Sequence, residues 1–161
     1  MKNKFSINLE VTLVEIILSV LIFAIAGVIS LNCFFIAKFT QIKANDKVIA
    51  GNLIQSDIEI LKSFNSSDES EEFLLQHFQL LKTESNVRTY INFYDKSWEL
   101  SNEADKEYLI TVNISDEFSN SGTLKDIEIT AERIEPYPFI NKTNNNQPIY
   151  SIETKKFFPN Y

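Results

Sequence analysis

The sequence predicts an α+β protein in which a long N-terminal helix, transmembrane in its first half, packs on a small antiparallel sheet. Three observations predict this fold. An uncharged apolar run covers residues 16–37, a helical pattern of apolar residues continues to about residue 61, and period-two alternation begins at residue 87. A period of about 3.6 residues is typical of amphipathic helices, and a period of two is typical of half-buried strands.

The apolar run from Ile16 to Ala37 has the length of a membrane-spanning helix. About 22 residues, each rising 1.5 Å, cross a hydrocarbon core of about 30 Å. Lys2 and Lys4 precede the run, so the positive-inside rule predicts a single pass through the cytoplasmic membrane with the C-terminal domain outside. The alternative is a secretory signal cleaved near the small residues 24–26, but the apolar run continues beyond them.

Glu15 stands at the start of this run and is the one charged residue between positions 11 and 37. A charge placed deeper in a bilayer costs on the order of 2.5 to 3.5 kcal/mol by insertion scales, so such a carboxylate usually has a function or a partner. Two interpretations follow from the residues alone. Glu15 is either an interfacial residue that ends the span or a carboxylate that acts inside the apolar segment.

Val11-Thr-Leu-Val-Glu15, followed by IILSVLIFAIAGVI, resembles the N-terminal signature of type IV pilins and pseudopilins. The resemblance implies that a prepilin peptidase removes a basic leader, residues 1–10, by cutting between Glu10 and Val11. It also implies N-methylation of Val11 and a filament-assembly role for Glu15, which would pair with the Val11 ammonium of a neighbouring subunit. The expected function is that of a minor pilin or pseudopilin in a type IV pilus, competence or type II secretion-like filament, with other pilin-like subunits as partners.

The last leader residue differs from the family pattern, which has glycine or occasionally alanine where this sequence has Glu10. If the leader is retained, Val11 has no free amine and the partner proposed for Glu15 disappears. A second hypothesis is therefore a single-pass, membrane-anchored binding or sensor module that is not incorporated in a filament.

Residues 11–37 form the predicted transmembrane helix, and residues 38–64 are its predicted amphipathic continuation. In pilin-like proteins this second half packs beneath the sheet. Asp46 and Asp57 are expected to interrupt the apolar stripe, and Gly51 weakens the helix locally by about 1 kcal/mol relative to alanine. The stripe comprises Phe39, Ile42, Ile49, Leu53, Ile60 and Phe64.

Residues 65–161 form the predicted globular α+β domain. The Ser-rich and acidic residues 65–72 offer N-caps for a short helix that carries Phe73, Leu74, Phe78 and Leu81. Alternation then predicts strands, and a last strand is expected near residues 149–158. The segments LKDIEITAERI and YSIETKKFF resemble the closing hairpin of pseudopilins. The alternating positions are Val87, Thr89, Ile91 and Phe93, then Tyr108, Ile110, Val112 and Ile114, then Ile127, Ile129 and Ala131.

Composition argues against several function classes. No nucleophile elbow, HExxH motif or phosphate loop is present, so we expect neither an enzyme nor a cofactor. One cysteine, one histidine and an acidic cluster without EF-hand spacing predict no metal site. The net charge of -7 disfavours nucleic-acid binding.

Some aromatic residues near the C-terminus are candidates for a subunit contact, namely Tyr137, Phe139, Phe157, Phe158 and Tyr161.

Overall fold

The computed structural model describes residues 9–84, 86–139 and 148–159, with side chains from Thr12 onward, and shows one long helix packed on a six-stranded antiparallel sheet. The predicted α+β fold is thereby confirmed. The helices are α1 (Leu9–Ser63) and α2 (Ser67–His77). The strands are β1 (Gln79–Glu84), β2 (Val87–Tyr94), β3 (Leu100–Ser101), β4 (Tyr108–Ser119), β5 (Gly122–Arg133) and β6 (Tyr150–Pro159).

Neighbouring strands of the sheet follow one another closely in the chain. The order is β1-β2-β4-β5-β6, with the short β3 paired to β2. The β4–β5 hairpin aligns Tyr108 with Arg133 at one end and Ser119 with Gly122 at the other. We call these the Tyr108 end and the hairpin end of the sheet. β6 then pairs along β5, so the predicted closing strand lies antiparallel to the strand before it.

The core lies between one face of the sheet and the second half of α1. Alternate residues of β4 and β5 point to the helix, which buries a row spaced mainly four residues apart. The helix and the central strands thus share one apolar layer. Its most deeply buried members include Ala50, Ile54, Leu61, Tyr90, Ile110, Val112, Ile114, Ile127, Ile129 and Ala131.

The buried face of α1 is rotated from the predicted stripe. Ala50, Ile54 and Ile58 form its centre, whereas Ile49 and Leu53 are only partly buried at its edge. Asp46, expected to interrupt the apolar stripe, is itself 4% exposed. A carboxylate can occupy a core position when donors from other elements satisfy it, and these donors come from distant parts of the sequence.

The short helix α2 begins at its N-cap Ser66, whose side chain accepts a hydrogen bond from the Asp68 amide at 3.1 Å. It ends at His77, earlier than expected, so Leu81 lies in β1 rather than on the helix. All six residues of β1 are exposed. With no buried face, β1 has no period-two pattern, and its pairing with β2 holds it in place.

Ionic contacts complete the core face near the hairpin end. The Lys125 ammonium lies 3.1 Å from Asp116, and its side chain is 3% exposed. Arg88 bridges Asp116 and Glu71, and thereby joins α2 to the sheet. A buried charge without a partner is costly. Removal of any one member of this network would therefore destabilise the sheet.

Candidate membrane and assembly site

Most of the first half of α1 lies clear of the sheet, and its large apolar side chains are exposed. Its most apolar window has a mean hydropathy of 2.6, and none of that window is buried. By length and composition, this single helix could span a membrane. Its exposed side chains include Leu13, Val14, Ile16, Ile17, Leu18, Val20, Leu21, Ile22, Phe23, Ile25, Val28, Ile29, Leu31, Phe34, Phe35 and Ile36.

Hydroxyl groups along this half bond to the backbone of the same helix. Ser19 donates to the Glu15 carbonyl at 2.8 Å, Ser30 to the Ala26 carbonyl at 2.9 Å, and Thr40 to the Ile36 carbonyl at 2.8 Å. Polar groups in a hydrocarbon phase need internal partners because no water is available. The serine hydroxyls are therefore compatible with an apolar environment.

The three predicted site residues lie on the first turns of α1. Glu10 and Val11 belong to the helix, which starts at Leu9, but their side chains lie outside the described set. Residues 1–8 of the predicted leader also lie outside the described residues. Glu15 is exposed one turn after Val11. The backbone thus places the predicted cleavage position and Glu15 on one continuous helix, close to its first residue.

Asp46 is the centre of a second, buried polar site, and the sequence analysis did not find it. Its carboxylate accepts hydrogen bonds from Tyr137 at 2.7 Å, Tyr108 at 3.0 Å and the Trp98 indole at 3.3 Å. The Trp98 and Tyr108 rings stack with their centroids 4.0 Å apart. One helical carboxylate therefore joins α1 to a turn, to β4 and to the segment that follows β5.

The two phenols of this site stay protonated over the physiological range. Burial, followed by hydrogen bonding to Asp46 and the charge of that carboxylate, raises the pKa of Tyr108 and of Tyr137 far above the usual value. The Arg133 guanidinium lies 4.5 Å from the centre of the Tyr137 ring and opposes that shift. Both hydroxyls thus act as permanent donors, and the arrangement fixes position rather than moving protons.

The segment of residues 134–139 follows β5 and returns to α1. Two residues beyond the anchored Tyr137, the Phe139 ring lies 5.7 Å from the rings of both Phe35 and Phe39. The C-terminal aromatic residues proposed for a subunit contact therefore divide into two groups. Tyr137 and Phe158 are buried in this chain, Phe139 and Phe157 are exposed, and Tyr161 lies outside the described residues.

The outer face of the sheet carries an open depression of about 840 Å³ lined mainly by polar side chains. Thr89 donates to Asn113 at 2.9 Å, and Asn113 donates to Glu128 at 3.3 Å. These groups satisfy one another, as is usual on a solvated sheet face. Within the described ranges, no three His, Cys, Asp or Glu side chains are grouped so that they could hold a metal ion.

No protein-family model, curated protein or solved structure matches this chain. The fold and these contacts define a class: an α+β protein with one long apolar helix that could span a membrane and that continues into the core of a small sheet domain. The function is therefore inferred from the residues and their geometry.

Proposed function

We propose that this chain is a structural subunit, a minor pilin or pseudopilin, of a type IV pilus, competence or type II secretion-like filament. The observation that carries the proposal is the continuity of α1, a single helix of 55 residues with an unburied apolar first half and a core-forming second half. The apolar first half of such a helix could leave the lipid and pack against the helices of neighbouring subunits, while its second half stays packed on the sheet.

Glu15 supports an assembly role because it is a lone charge in an otherwise apolar segment. When subunits pack side by side, an ammonium group at Val11 of a neighbour would offset the burial of this carboxylate. Packing in any other register would leave the acid unpaired in an apolar environment, which costs several kcal/mol. The pair would thereby select the axial offset between subunits.

Before assembly, the same helix would hold the subunit in the cytoplasmic membrane. Lys2 and Lys4 favour an inside N-terminus, and the acidic sheet domain would lie outside. The expected partners are the prepilin peptidase, which must act on residues 1–10, and other pilin-like subunits. The net charge of -7 of the whole chain gives no support to nucleic acid as a partner.

A second candidate function rests on Glu10, which occupies the position of the family's glycine. If this anion blocks cleavage, Val11 never gains an ammonium group and Glu15 loses its proposed partner. The chain would then be a single-pass, membrane-anchored binding or sensor module. The polar depression on the outer face of the sheet would be its candidate binding surface.

Intact-mass measurement separates the two functions. The full chain would be co-expressed with the prepilin peptidase of the organism that produces it, as wild type, Glu10→Gly and Glu15→Ala. We expect wild type to lose residues 1–10, with or without one added methyl group on Val11. Glu15→Ala is the matched control and should also be cut, because Glu15 is proposed to act after cleavage.

If wild type keeps its leader while Glu10→Gly is cut, Glu10 has removed the chain from the processing pathway and the anchored-module function takes precedence. If neither is cut by a peptidase that processes another pilin in the same cells, the resemblance to prepilins does not extend to processing. Both results would contradict the filament proposal.

A further inference from the structure

We propose that the segment of residues 134–139 is a membrane-contacting loop, whose Phe139 side chain inserts among lipids at the outer boundary of the hydrocarbon core. The inference rests on the proposed membrane span of α1 but does not require filament assembly. The partner is the lipid bilayer itself, at the level where acyl chains meet headgroups.

The depth of Phe139 follows from its two helical contacts. Its ring centroid is 5.7 Å from those of Phe35 and Phe39, which are one turn, or about 6 Å of rise, apart on α1. Ala37 is the last residue of the uncharged run, and Lys38 is the first charge after it. Phe139 therefore lies level with the end of the span.

The side chains of the loop are compatible with a position at the outer boundary of the hydrocarbon core. Phe139 is 65% exposed and Ile134 is 41% exposed. The Phe139 surface continues the apolar surface of Phe35, so the patch and the span form one hydrophobic region. Pro136 and Pro138 carry no backbone N–H, so they bring no unpaired amide donor toward the lipid. Glu135 is the one charged residue of the loop.

Hydrogen bonds on both sides of Pro136 fix the loop against the domain. The Ile134 amide donates to the Glu107 carbonyl at 3.0 Å, and the Tyr137 hydroxyl donates to Asp46 at 2.7 Å. Phe139 has a φ of 61°, a left-handed conformation that is uncommon for a bulky residue. A strained, exposed aromatic residue held at this position is more consistent with an interaction than with packing inside the domain.

Fluorescence quenching in vesicles tests the inference. Three versions of the full-length chain would each carry one nitrobenzoxadiazole probe attached to a single cysteine. The first is labelled at the native Cys33. The other two carry Cys33→Ser and are labelled at a new cysteine, introduced by Phe139→Cys in one and by Phe118→Cys in the other. Phe118 is 77% exposed and lies at the hairpin end, so it is the matched control. The proteins would be reconstituted in phosphatidylcholine vesicles with and without a lipid bearing a nitroxide high on its acyl chain.

We expect the probes at positions 33 and 139 to be quenched, with at least threefold more quenching at position 139 than at position 118. Equal quenching at positions 139 and 118, together with strong quenching at position 33, would overturn the loop contact and leave the membrane span intact. Weak quenching at all three positions would show that α1 is outside the bilayer, and would overturn both the loop contact and the proposed membrane location.

Discussion

Asp46 is a buried acid that accepts hydrogen bonds from three aromatic side chains. A hydrogen bond to a charged group is typically worth about 1.5 to 3 kcal/mol, and a buried donor without a partner costs a similar amount. The site is therefore sensitive to removal of the carboxylate, whereas loss of one donor leaves the other two in place. Trp98, the single tryptophan, reports directly on this site.

We predict that Asp46→Ala lowers the free energy of unfolding by about 3 kcal/mol, because the two phenols and the indole lose their shared acceptor. Tyr137→Phe removes one donor and should cost less, about 1.5 kcal/mol. The measurement is denaturant unfolding of the full chain in detergent, followed by Trp98 fluorescence. An Asp46→Ala protein as stable as wild type would contradict this account.

Asp57 gives the sheet domain a predicted dependence on pH. Burial raises the pKa of the Asp57 carboxyl from 3.8 to about 6. The charge of His77 lowers this pKa, but by less than burial raises it. The folded state therefore binds the proton more tightly than the unfolded state. Stability is greatest when Asp57 is protonated in both states, falls as pH rises from about 4 to about 6, and then levels off.

We predict that Asp57→Asn raises the free energy of unfolding at pH 7.5 by about 1 to 2 kcal/mol, a range reduced for the partial exposure of the group. The amide carries no charge, so the cost of burying an ionised carboxylate disappears. The gain should shrink toward pH 4, where folded wild type already holds the proton. Thermal unfolding of both proteins across this pH range is the measurement, and a gain independent of pH would refute the burial argument.

Local patterns are the basis of the proposed assembly site, whereas no local pattern indicated the Asp46 site. Glu10, Val11 and Glu15 lie within six positions, so their spacing can be recognised in the sequence alone. The donors to Asp46 lie 52, 62 and 91 positions away, and only the tertiary fold brings them together. A buried aspartate in an amphipathic helix therefore looked like an interruption of its apolar stripe.

At the scale of elements, α1 is one continuous helix whose first half is exposed and apolar and whose second half packs on the sheet. Its 55 residues extend over about 80 Å, and Gly51 lies in the half that packs on the sheet. Gly51 faces Tyr150 at the start of β6, whereas Gly122 starts β5 and pairs with Pro159 at the other end of β6. These two glycines differ in what a side chain would meet, so they allow a paired test of helix and sheet.

We predict opposite effects for alanine at the two glycines. A methyl group at position 51 would lie 3.6 Å from the Tyr150 ring, an ordinary contact, so Gly51→Ala should stabilise the helix by about 1 kcal/mol. At position 122 it would collide with the Phe158 carbonyl oxygen, so Gly122→Ala should cost about 1 to 3 kcal/mol. The midpoints of denaturant unfolding test both, and a stabilised Gly122→Ala would show that the β5–β6 edge is looser than described.

Periodicity predicted the elements that bury one face and failed for those that do not. β4 and β5 each bury alternate residues for most of their length, and each was predicted from that alternation. β2 was predicted in the same way, but it buries every residue from Thr89 to Tyr94. Its core face carries Tyr90 and Tyr94 instead of the predicted alternating set. β1 is exposed on both faces, so its leucines resembled the end of α2. On α1 the buried face differs from the predicted stripe because Ala50, which is fully buried, is small and contributes little to an apolar pattern in the sequence.

At the scale of the whole molecule, the chain combines an unburied apolar helix with an acidic sheet domain. The helix needs a lipid or protein environment, and the domain needs water. A membrane satisfies both halves of an isolated subunit, and a filament core formed by neighbouring helices would satisfy them equally. Under the proposed function, Glu15 would favour the filament, because its proposed partner, the Val11 ammonium of a neighbouring subunit, would be found there.

The most direct test is to measure how much of the chain is found in filaments sheared from the surface of the producing cells. Wild type, Glu15→Ala and Glu59→Ala would be compared at equal total expression. Glu59 is an exposed glutamate on the sheet-packing half of α1 and serves as the control. We predict that wild type and Glu59→Ala enter the filament fraction, whereas Glu15→Ala stays in the membrane with at least a tenfold lower filament content. Equal incorporation of Glu15→Ala, or absence of wild type from every filament, would contradict the account.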